Sequence, residues 1–290
     1  MTAVATVFDE STRRAFASDS KVGLLATRAP GGQPHVTLIT TLTARGERGL
    51  LWGQFTEGLS KRNVRADPRA GFLVMTLERR IWRGRARWTH AEQSGPEYES
   101  FNSRPMFRYN AYFGIHTVHH MELVEVDGPR PLPLGAMLAG GLRCLAARPL
   151  AGPGGRRVFN HWTRRHLAAL TTVKFLAWLD GEGYPRLLPA LPCRPLGAGR
   201  LLFAPTVCRR ELEALAPGTR VALFALNLQT ESVLLRGDFA GWRGRGPARV
   251  GVIDVDWVYN SMPPLAGQIY PPLELAPVEA AGENPARKRE

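Results

Sequence analysis

The stretch LLWGQFTEGLSKRNVRADPRAGFLV, Leu50–Val74, decides how the N-terminal half of this chain folds. Its apolar start, Leu50–Phe55, predicts a strand, and the polar run Glu57–Ala66 predicts a short helix. That helix ends at Asp67-Pro68, because proline cannot continue it. The run Ala70–Leu77 predicts the next strand. The order strand, short helix, strand sets the pattern for the rest of the half.

The flanking residues extend this pattern on both sides. Further strands are predicted at Val22–Thr27, His35–Thr43, Arg80–Thr89 and His120–Val126, and helices at 9–19 and 96–110. His35–Thr43 alternates and is rich in β-branched residues, as in a half-buried strand. Breaker residues at Gly31-Gly32 and Gly46–Gly49 separate the strands. Six short antiparallel strands with small helices indicate a small β-barrel.

The chain also contains a repeat with a period near 150 residues. Three matches share a shift of 151: Thr12-Arg13-Arg14 with Thr163-Arg164-Arg165, Gly32-Gln33-Pro34 with Gly183-Tyr184-Pro185, and Leu50-Leu51-Trp52 with Leu201-Leu202-Phe203. Two more have nearby shifts: Arg83-Gly84 with Arg236-Gly237 at 153, and Tyr109-Asn110 with Tyr259-Asn260 at 150. Second-copy strands are predicted at 175–179, 186–191, 200–204, 220–226, 232–242 and 250–254, with a helix at 208–216. A period of this length predicts a duplicated domain.

The domain boundaries follow from the repeat and from composition. Residues 1–126 are predicted as the first barrel and residues 156–279 as the second. Between them, residues 127–155 are rich in proline and glycine and are predicted as a linker with an apolar helix at 134–147. Residues 280–290 form a polar tail that is predicted to be mobile.

Composition excludes several classes of protein. The 290 residues are 44% hydrophobic and 22% charged, which is ordinary for a globular chain and unlike a disordered or collagen-like one. No apolar run is long enough to span a membrane, and the N-terminus lacks the features of a signal peptide. Three scattered cysteines, Cys144, Cys193 and Cys208, favour reduced thiols and a cytoplasmic location. No membrane association is expected.

The net charge of +13 points to an anionic ligand of some kind. Nucleic acid is one such ligand, but the basic residues are spread along the chain without a block of five or six. We therefore do not expect nucleic-acid binding, and a small-molecule substrate is the favoured partner.

Residues Gly31–Trp88 resemble the pyridoxamine 5′-phosphate oxidase-like, FMN-binding split-barrel superfamily. The resemblance is carried by GGQPHV at Gly31–Val36, by Leu50–Val74, and by LERRIWRGRARW at Leu77–Trp88. It is good over residues 20–90, weaker to 126 and fainter across the second copy. It implies a mainly β fold, with two tandem split β-barrels packed as an intramolecular pseudo-dimer. It also implies FMN as the cofactor and an FMN-dependent oxidoreductase whose substrate is small, unassigned and, given the charge, anionic.

The start of the short helix has the groups that a phosphate needs, namely positive charge, hydroxyls and free backbone N–H groups. Thr56, Ser60, Lys61 and Arg62 supply them, and Asn63 fills a position that the family uses. The family lysine stands three residues before the asparagine, where this chain has Ser60, and Lys61 is displaced by one. The alternative is that these residues form the solvated face of an amphipathic helix.

Other site residues are implied by the resemblance alone. The strand that begins at His35 corresponds to one that contacts phosphate and flavin, so His35, Thr37 and Thr40 are candidate cofactor ligands. Arg80 stands where the oxidase has a glutamine that contacts the isoalloxazine, and a cation there would stabilise a reduced flavin. The alternative for Arg80 is an exposed strand residue. No catalytic side chain is assigned.

The histidines leave a second class of function open. His116, His119 and His120 form HxxHH, and some split-barrel relatives bind or degrade haem, so a haem-binding or non-catalytic flavin-binding protein is the alternative. No carboxylate stands at a useful interval, so no metal site is predicted.

The second copy lacks Lys and Asn in the stretch 205–212, and Ala216-Pro217-Gly218 replaces Asp-Pro-Arg. We therefore predict one flavin, held mainly by the first copy, in a monomer with an internal pseudo-dimer or in a homodimer.

Overall fold

The computed structural model describes residues 4–55, 57–103, 114–152, 156–260 and 267–271. In the described part of the first half there are three helices and seven strands. The helices are α1 (Glu10–Ala17), α2 (Leu59–Ala66) and α3 (Pro96–Ser103). The strands are β1 (Lys21–Arg28), β2 (Pro34–Leu38), β3 (Thr43–Arg45), β4 (Gly49–Gln54), β5 (Arg69–Thr76), β6 (Arg80–Glu92) and β7 (Thr117–Pro131).

The second half follows a connecting helix, α4 (Leu134–Ala146), and a 3₁₀ turn at Arg148–Ala151. Its helices are α5 (His161–Ala168) and α6 (Arg209–Glu213), with a 3₁₀ turn at Gly246–Ala248. Its strands are β8 (Val173–Leu179), β9 (Pro185–Pro189), β10 (Cys193–Leu196), β11 (Arg200–Phe203), β12 (Arg220–Leu226), β13 (Ser232–Arg243), β14 (Val250–Asn260) and β15 (Gly267–Tyr270). The predicted linker begins inside β7, which runs on to Pro131.

The two halves have the same strand order, which confirms the predicted mainly β fold with two antiparallel sheets and small helices. The first sheet runs β2-β1-β5-β6-β7-β4-β3, and the second runs β9-β8-β12-β13-β14-β11-β10, with β15 added beside β14. Within the described residues, no helix combines the length and the apolar character that crossing a membrane requires.

Strand pairing fixes which residues of the two halves are equivalent. Leu24 pairs with Leu73 in the first sheet and Phe175 with Phe224 in the second, a shift of 151 on both strands. Gly71 pairs with Arg85, and Ala222 with Arg236, so β6 and β13 share that shift.

The seventh strand of each half, β7 in the first and β14 in the second, has a different shift in residue number. Leu50 pairs with Met121, while Leu201 pairs with Ile253, so β7 and β14 differ by 132. The three sequence matches at 151 therefore align. The matches at 153 and 150 do not, because Arg236 is equivalent to Arg85 and Tyr259 to Asp127; Tyr109-Asn110 itself lies outside the described residues.

Each half has its own apolar core, and a third core joins them. Trp52, Phe72 and Trp82 lie in the first core, and Phe203 and Phe239 lie in the second. The joining core includes Leu24, Ala26 and Val36 from the first sheet and Phe175, Phe224 and Leu234 from the second. The pseudo-dimer is therefore held by sheet packing, because apolar burial is the main source of such association.

The backbones of the two sheets approach each other closely at Gly71 and Pro185. A Cβ built on Gly71 would lie 2.1 Å from the carbonyl oxygen of Pro185, so only glycine fits there.

The predicted strand His35–Thr43 is interrupted, which is a correction to the sequence prediction. Pairing ends at Leu38, and the amide of Ile39 donates to the carbonyl of Gly23 at 2.7 Å. The amide of Leu42 donates to the carbonyl of Ile39, so residues 39–42 turn before β3 begins. Gly23 allows this approach, because a Cβ there would lie 2.4 Å from the Ile39 carbonyl oxygen. The alternation of β-branched residues continues through the turn, so the sequence pattern does not reveal it.

Candidate functional site

A groove between the two halves, with a volume of about 420 Å³, is the candidate site. This volume is within the usual range for small-molecule sites. The first half contributes the segment from His35 to Thr41, the end of β4 and the start of α2; the second half contributes four residues. The contributing side chains beyond that segment are Phe55, Leu59 and Lys61 from the first half and Phe224, Ser232, Leu234 and Tyr259 from the second.

The start of α2 brings positive charge into the groove. Lys61 lines the groove and is only 9% exposed, and burial lowers the pKa of its ammonium. Among the described residues no carboxylate lies within ion-pair distance of Lys61, although the charge of Glu57 acts on it. A buried ammonium without a bound counter-ion is costly unless an anion occupies the space beside it.

The backbone N–H groups at the start of α2 are also available as hydrogen-bond donors. Gly58 precedes α2 and gives no side-chain cap, so the first N–H groups of the helix have no side-chain acceptor. A Cβ on Gly58 would lie 3.4 Å from Lys61 Nζ, so the lysine side chain folds back over the start of its own helix. The ammonium and the free N–H groups thus face one small volume, which suits an anion.

A chain of hydrogen bonds connects the second half to α2. Arg236 donates to His35 Nδ1 at 3.0 Å, so the His35 proton resides on Nε2 and is donated to Thr37 Oγ1 at 3.1 Å. Thr37 Oγ1 also shares a very short hydrogen bond with Ser60 Oγ, in which either hydroxyl can be the donor. Ser60 is 1% exposed and lies behind the residues that line the groove. Burial, together with the charges of Arg236 and Lys61, lowers the pKa of His35 to about 3, which keeps it neutral.

The other predicted cofactor residues lie in different places. Thr40 lines the groove and is exposed. Asn63 is buried beneath the helix, where its amide donates to Thr27 Oγ1 at 2.9 Å and ties α2 to β1. Arg62 points to solvent on the outer side of α2, and Arg80 is an exposed residue at the start of β6; neither lines the groove. Thr56 lies outside the described residues.

Two residues of the second half, Arg236 and Trp257, lie next to groove-lining side chains without lining the groove themselves. The Arg236 guanidinium lies over the Trp257 ring at 4.4 Å, and Trp257 stacks against Tyr259. Burial, helped by the charge of Arg220, lowers the pKa of Arg236 to about 10. The repeat itself predicts a wall from the second copy, because a duplicated dimeric fold places one copy's strands beside the other's cofactor site; it does not predict the bond from Arg236 to His35.

His119 belongs to a separate network inside the first barrel. It stacks on Trp52, with ring centroids 3.8 Å apart. Its Nδ1 accepts from Trp88 Nε1 at 3.1 Å, so its Nε2 donates to Gln54 Oε1 at 2.7 Å. Burial, with the charges of Arg65 and Lys61, lowers the pKa of His119 to about 3. Both ring nitrogens are engaged, so His119 is a neutral core residue.

A second groove lies at the position related to the first by the repeat. Its volume is about 280 Å³, and charged side chains line it. Glu211 of α6 accepts two bonds from Arg83, at 2.7 and 2.5 Å, and one from Arg186 at 3.3 Å. Burial opposes ionisation of Glu211, but the bonds from Arg83 and the charge of Arg186 hold its pKa below the usual range.

Equivalent positions in the two grooves therefore differ in chemistry. The shift of 151 relates His35 to Arg186, Ser60 to Glu211 and Lys61 to Leu212, which is a core residue. In the second groove a carboxylate therefore stands at the position of Ser60, and a leucine stands at the position of Lys61.

Comparison with known proteins gives one family match. The family model described as pyridoxamine 5′-phosphate oxidase matches residues 10–127. No curated protein matches the sequence.

Three solved structures illustrate the similarity at the level of fold. An FMN-binding protein from Syntrophomonas wolfei is 14% identical over 41% of this chain and 84% of that chain, with a TM-score of 0.36. A putative pyridoxamine 5′-phosphate oxidase from Lactobacillus delbrueckii is 15% identical over 43% and 96%, with a TM-score of 0.35. A haem-binding protein from Mycobacterium smegmatis is 14% identical over 81% and 90%, with a TM-score of 0.30.

Proposed function

We propose that this chain, whose residues 10–127 belong to the pyridoxamine 5′-phosphate oxidase family, binds one FMN in the first groove and uses it as an oxidoreductase. The family match confirms the resemblance predicted from the sequence. The observation that carries the proposal is Lys61, a buried cation without a bound carboxylate among the described residues, beside the Ser60 hydroxyl. This donor set suits a phosphate monoester, which accepts several charge-assisted hydrogen bonds.

The rest of the groove suits a flat aromatic ring. Phe55, Leu59, Leu38 and Leu234 give it apolar walls, and Tyr259 closes it from the second half. FMN supplies hydride and electron transfer when it is bound. The protein's part is to hold the phosphate through Lys61 and Ser60 and to exclude water with the apolar walls. The net positive charge of the chain favours a small anionic substrate.

The same geometry favours FMN over haem. His35 is the histidine among the described lining residues, and both of its ring nitrogens are hydrogen-bonded. An axial ligand needs a free imidazole nitrogen. His35 would have to give up Arg236 or Thr37 to bind iron, so a haem-binding function stays the second candidate.

The packing of the halves supports an internal pseudo-dimer that needs no second chain to complete the groove. Both walls of the site come from one polypeptide. The described cysteines form no disulfide, and burial raises the thiol pKa of Cys144 to about 11 and of Cys193 to about 12. Inert reduced thiols support the inference of a cytoplasmic location.

Titration of the purified apoprotein with FMN and with riboflavin tests the proposal. We expect saturation at one FMN per chain, with flavin fluorescence quenched, and much weaker binding of riboflavin because it lacks the phosphate. Equal affinity for the two flavins would overturn the phosphate site. A Soret band on haem addition, together with no flavin binding, would favour the second candidate. Turnover is then tested by photoreducing the bound flavin and following its reoxidation by candidate acceptors.

A further inference from the structure

Three metal-ligating side chains meet on the outer face of the first barrel, away from the groove. His90 on β6 pairs directly with His120 on β7, and their rings stack with centroids 4.2 Å apart. Glu92 is two residues beyond His90 and so projects from the same face of β6. One ligand atom from each of the three lies within 4.8 Å of the others. Sequence spacing did not reveal this group, because Glu92 and His120 are far apart in the sequence and are brought together by the antiparallel pairing of β6 with β7.

The hydrogen bonds of Thr89 prepare His90 as a ligand. The Thr89 hydroxyl donates its one hydrogen to the His120 carbonyl at 3.1 Å. It must therefore accept from His90 Nδ1, which lies 3.0 Å away. That places the His90 proton on Nδ1 and leaves the Nε2 lone pair available. Fixing the tautomer of a ligand histidine in this way is a common feature of metal sites.

The other two ligand atoms are buried and face each other. Glu92 Oε1 and His120 Nε2 are shielded from solvent and lie 3.0 Å apart, within ion-pair distance. Neither makes a hydrogen bond of good geometry in the described part of the chain, so the ion pair is their one polar contact there. Two ligands of one cation, each at about 2.0–2.2 Å from it, come about this close to each other.

We propose that His90, Glu92 and His120 form a binding site for a divalent transition-metal ion of the zinc class. Two imidazoles and one carboxylate match the ligand preference of such an ion better than that of calcium or magnesium, which favour all-oxygen sites. His90 is exposed, so solvent reaches this position and a water molecule would complete the coordination. The ion would join β6 to β7 next to the irregular pairing between Trp88 and His90.

This site is independent of the proposed flavin function. His119, the neighbour of His120, points into the barrel and stacks on Trp52, so His120 projects outward. Loss of the metal would therefore leave flavin binding intact.

Zinc binding to the metal-free full-length protein, measured by competition with a chromophoric chelator, tests the proposal. The wild-type chain is expected to bind one Zn²⁺. The control His161→Ala, altered at an exposed helix histidine away from the cluster, should keep wild-type affinity. Glu92→Gln and His120→Ala should weaken zinc binding by at least about tenfold. Added zinc should raise the midpoint temperature of thermal unfolding for the wild type and for His161→Ala, but not for Glu92→Gln or His120→Ala.

Two results would overturn the proposal. One is a wild-type chain that shows no zinc binding and no thermal shift. The other is Glu92→Gln binding zinc as tightly as wild type, since that would assign the ion to exposed histidines alone. Glu92→Gln is nearly isosteric, and circular dichroism checks that each variant folds. Cobalt substitution gives a second readout, because its visible spectrum reports coordination by nitrogen and oxygen.

Discussion

Ser60 and Glu211 occupy equivalent positions in the two halves, 151 residues apart, and they face opposite kinds of partner. Ser60 is a neutral hydroxyl bonded to Thr37, next to Lys61, which has no ion pair among the described residues. Glu211 presents a carboxylate that Arg83 and Arg186 already bind. The second groove thus carries its own anion as part of the chain, and a phosphate there would meet a negative charge. This relationship is the structural basis for expecting a single flavin.

Lys61→Gln should weaken FMN binding by about 10- to 150-fold, because a hydrogen bond to a charged group contributes about 1.5–3 kcal/mol. Riboflavin binding should change little, since it has no phosphate to lose. Isothermal titration with both flavins measures the difference. Arg62→Gln is the matched control: it removes the same charge one residue away, on the exposed side of α2, and should keep most of the FMN affinity. Equal losses in the two variants would mean a general electrostatic effect.

Ser60→Ala should also weaken FMN binding, by about 2- to 10-fold, as expected for one hydrogen bond of about 0.5–1.5 kcal/mol. Thr37→Val removes the group that orients Ser60 and should reproduce part of this loss. Fluorescence titration of both single variants and of the double variant checks whether the two act together. Fully additive losses would contradict a chain that runs through Thr37 to Ser60.

Glu211→Ala should lower the free energy of unfolding by about 2 kcal/mol, because it leaves two arginines with one fewer partner each in a half-buried site. The flavin count should remain one per chain, since Leu212 still stands where Lys61 would be needed. Urea unfolding and FMN titration measure the two effects. Glu213→Ala, which removes an exposed pair with Arg209, should change stability by less than about 1 kcal/mol. A second FMN in Glu211→Ala would show that the carboxylate alone blocks the second groove.

Stability should fall as the pH is lowered from about 6.5 toward 5. Burial lowers the pKa of His35 and of His119 to about 3, and also lowers that of His166. Below their ordinary pKa these histidines take up protons in the unfolded chain but stay neutral in the folded one, so acid favours unfolding. Each histidine contributes up to about 1.4 kcal/mol per pH unit to the slope of the free energy of unfolding against pH. Urea unfolding at several pH values measures the total.

His119→Gln isolates one of these contributions. Glutamine keeps hydrogen-bonding capacity toward Gln54 and Trp88 but does not titrate. The slope of stability against pH should fall by about one proton, whatever the absolute stability of the variant. An unchanged slope would show that His119 is protonated in the folded protein.

Gly71→Ala should destabilise the protein by about 1–3 kcal/mol, since the added Cβ would overlap the Pro185 carbonyl between the halves. Gly181→Ala is the control, because a Cβ there meets nothing within 4 Å. Thermal unfolding of both variants compares them. If Gly71→Ala were as stable as Gly181→Ala, the close approach of the two sheets would be wrong.

The fold was largely predictable from the sequence because its signals are local. Asp67-Pro68 ends α2 where the sequence predicts, and β12 matches its predicted range of 220–226. The helix predicted at 96–110 is described only as far as Ser103. The break after Leu38 was missed, because it depends on a contact with Gly23 that no local pattern encodes.

The site was predictable only in part, for the same reason. Lys61 and Ser60 were found because charge and hydroxyls cluster at a helix start. Arg236 was not, since its hydrogen bond to His35 depends on packing between the halves. Arg80 was placed by resemblance alone, and it lies outside the groove.

Joining two barrels in one polypeptide has an evolutionary consequence. In a dimer of identical chains, every substitution appears in both subunits, so a change in one pocket also alters the symmetry-related pocket. In this chain Glu211 and Leu212 stand where the other half has Ser60 and Lys61. A tethered pair can therefore carry different residues in its two grooves, so that a change in one need not alter the other.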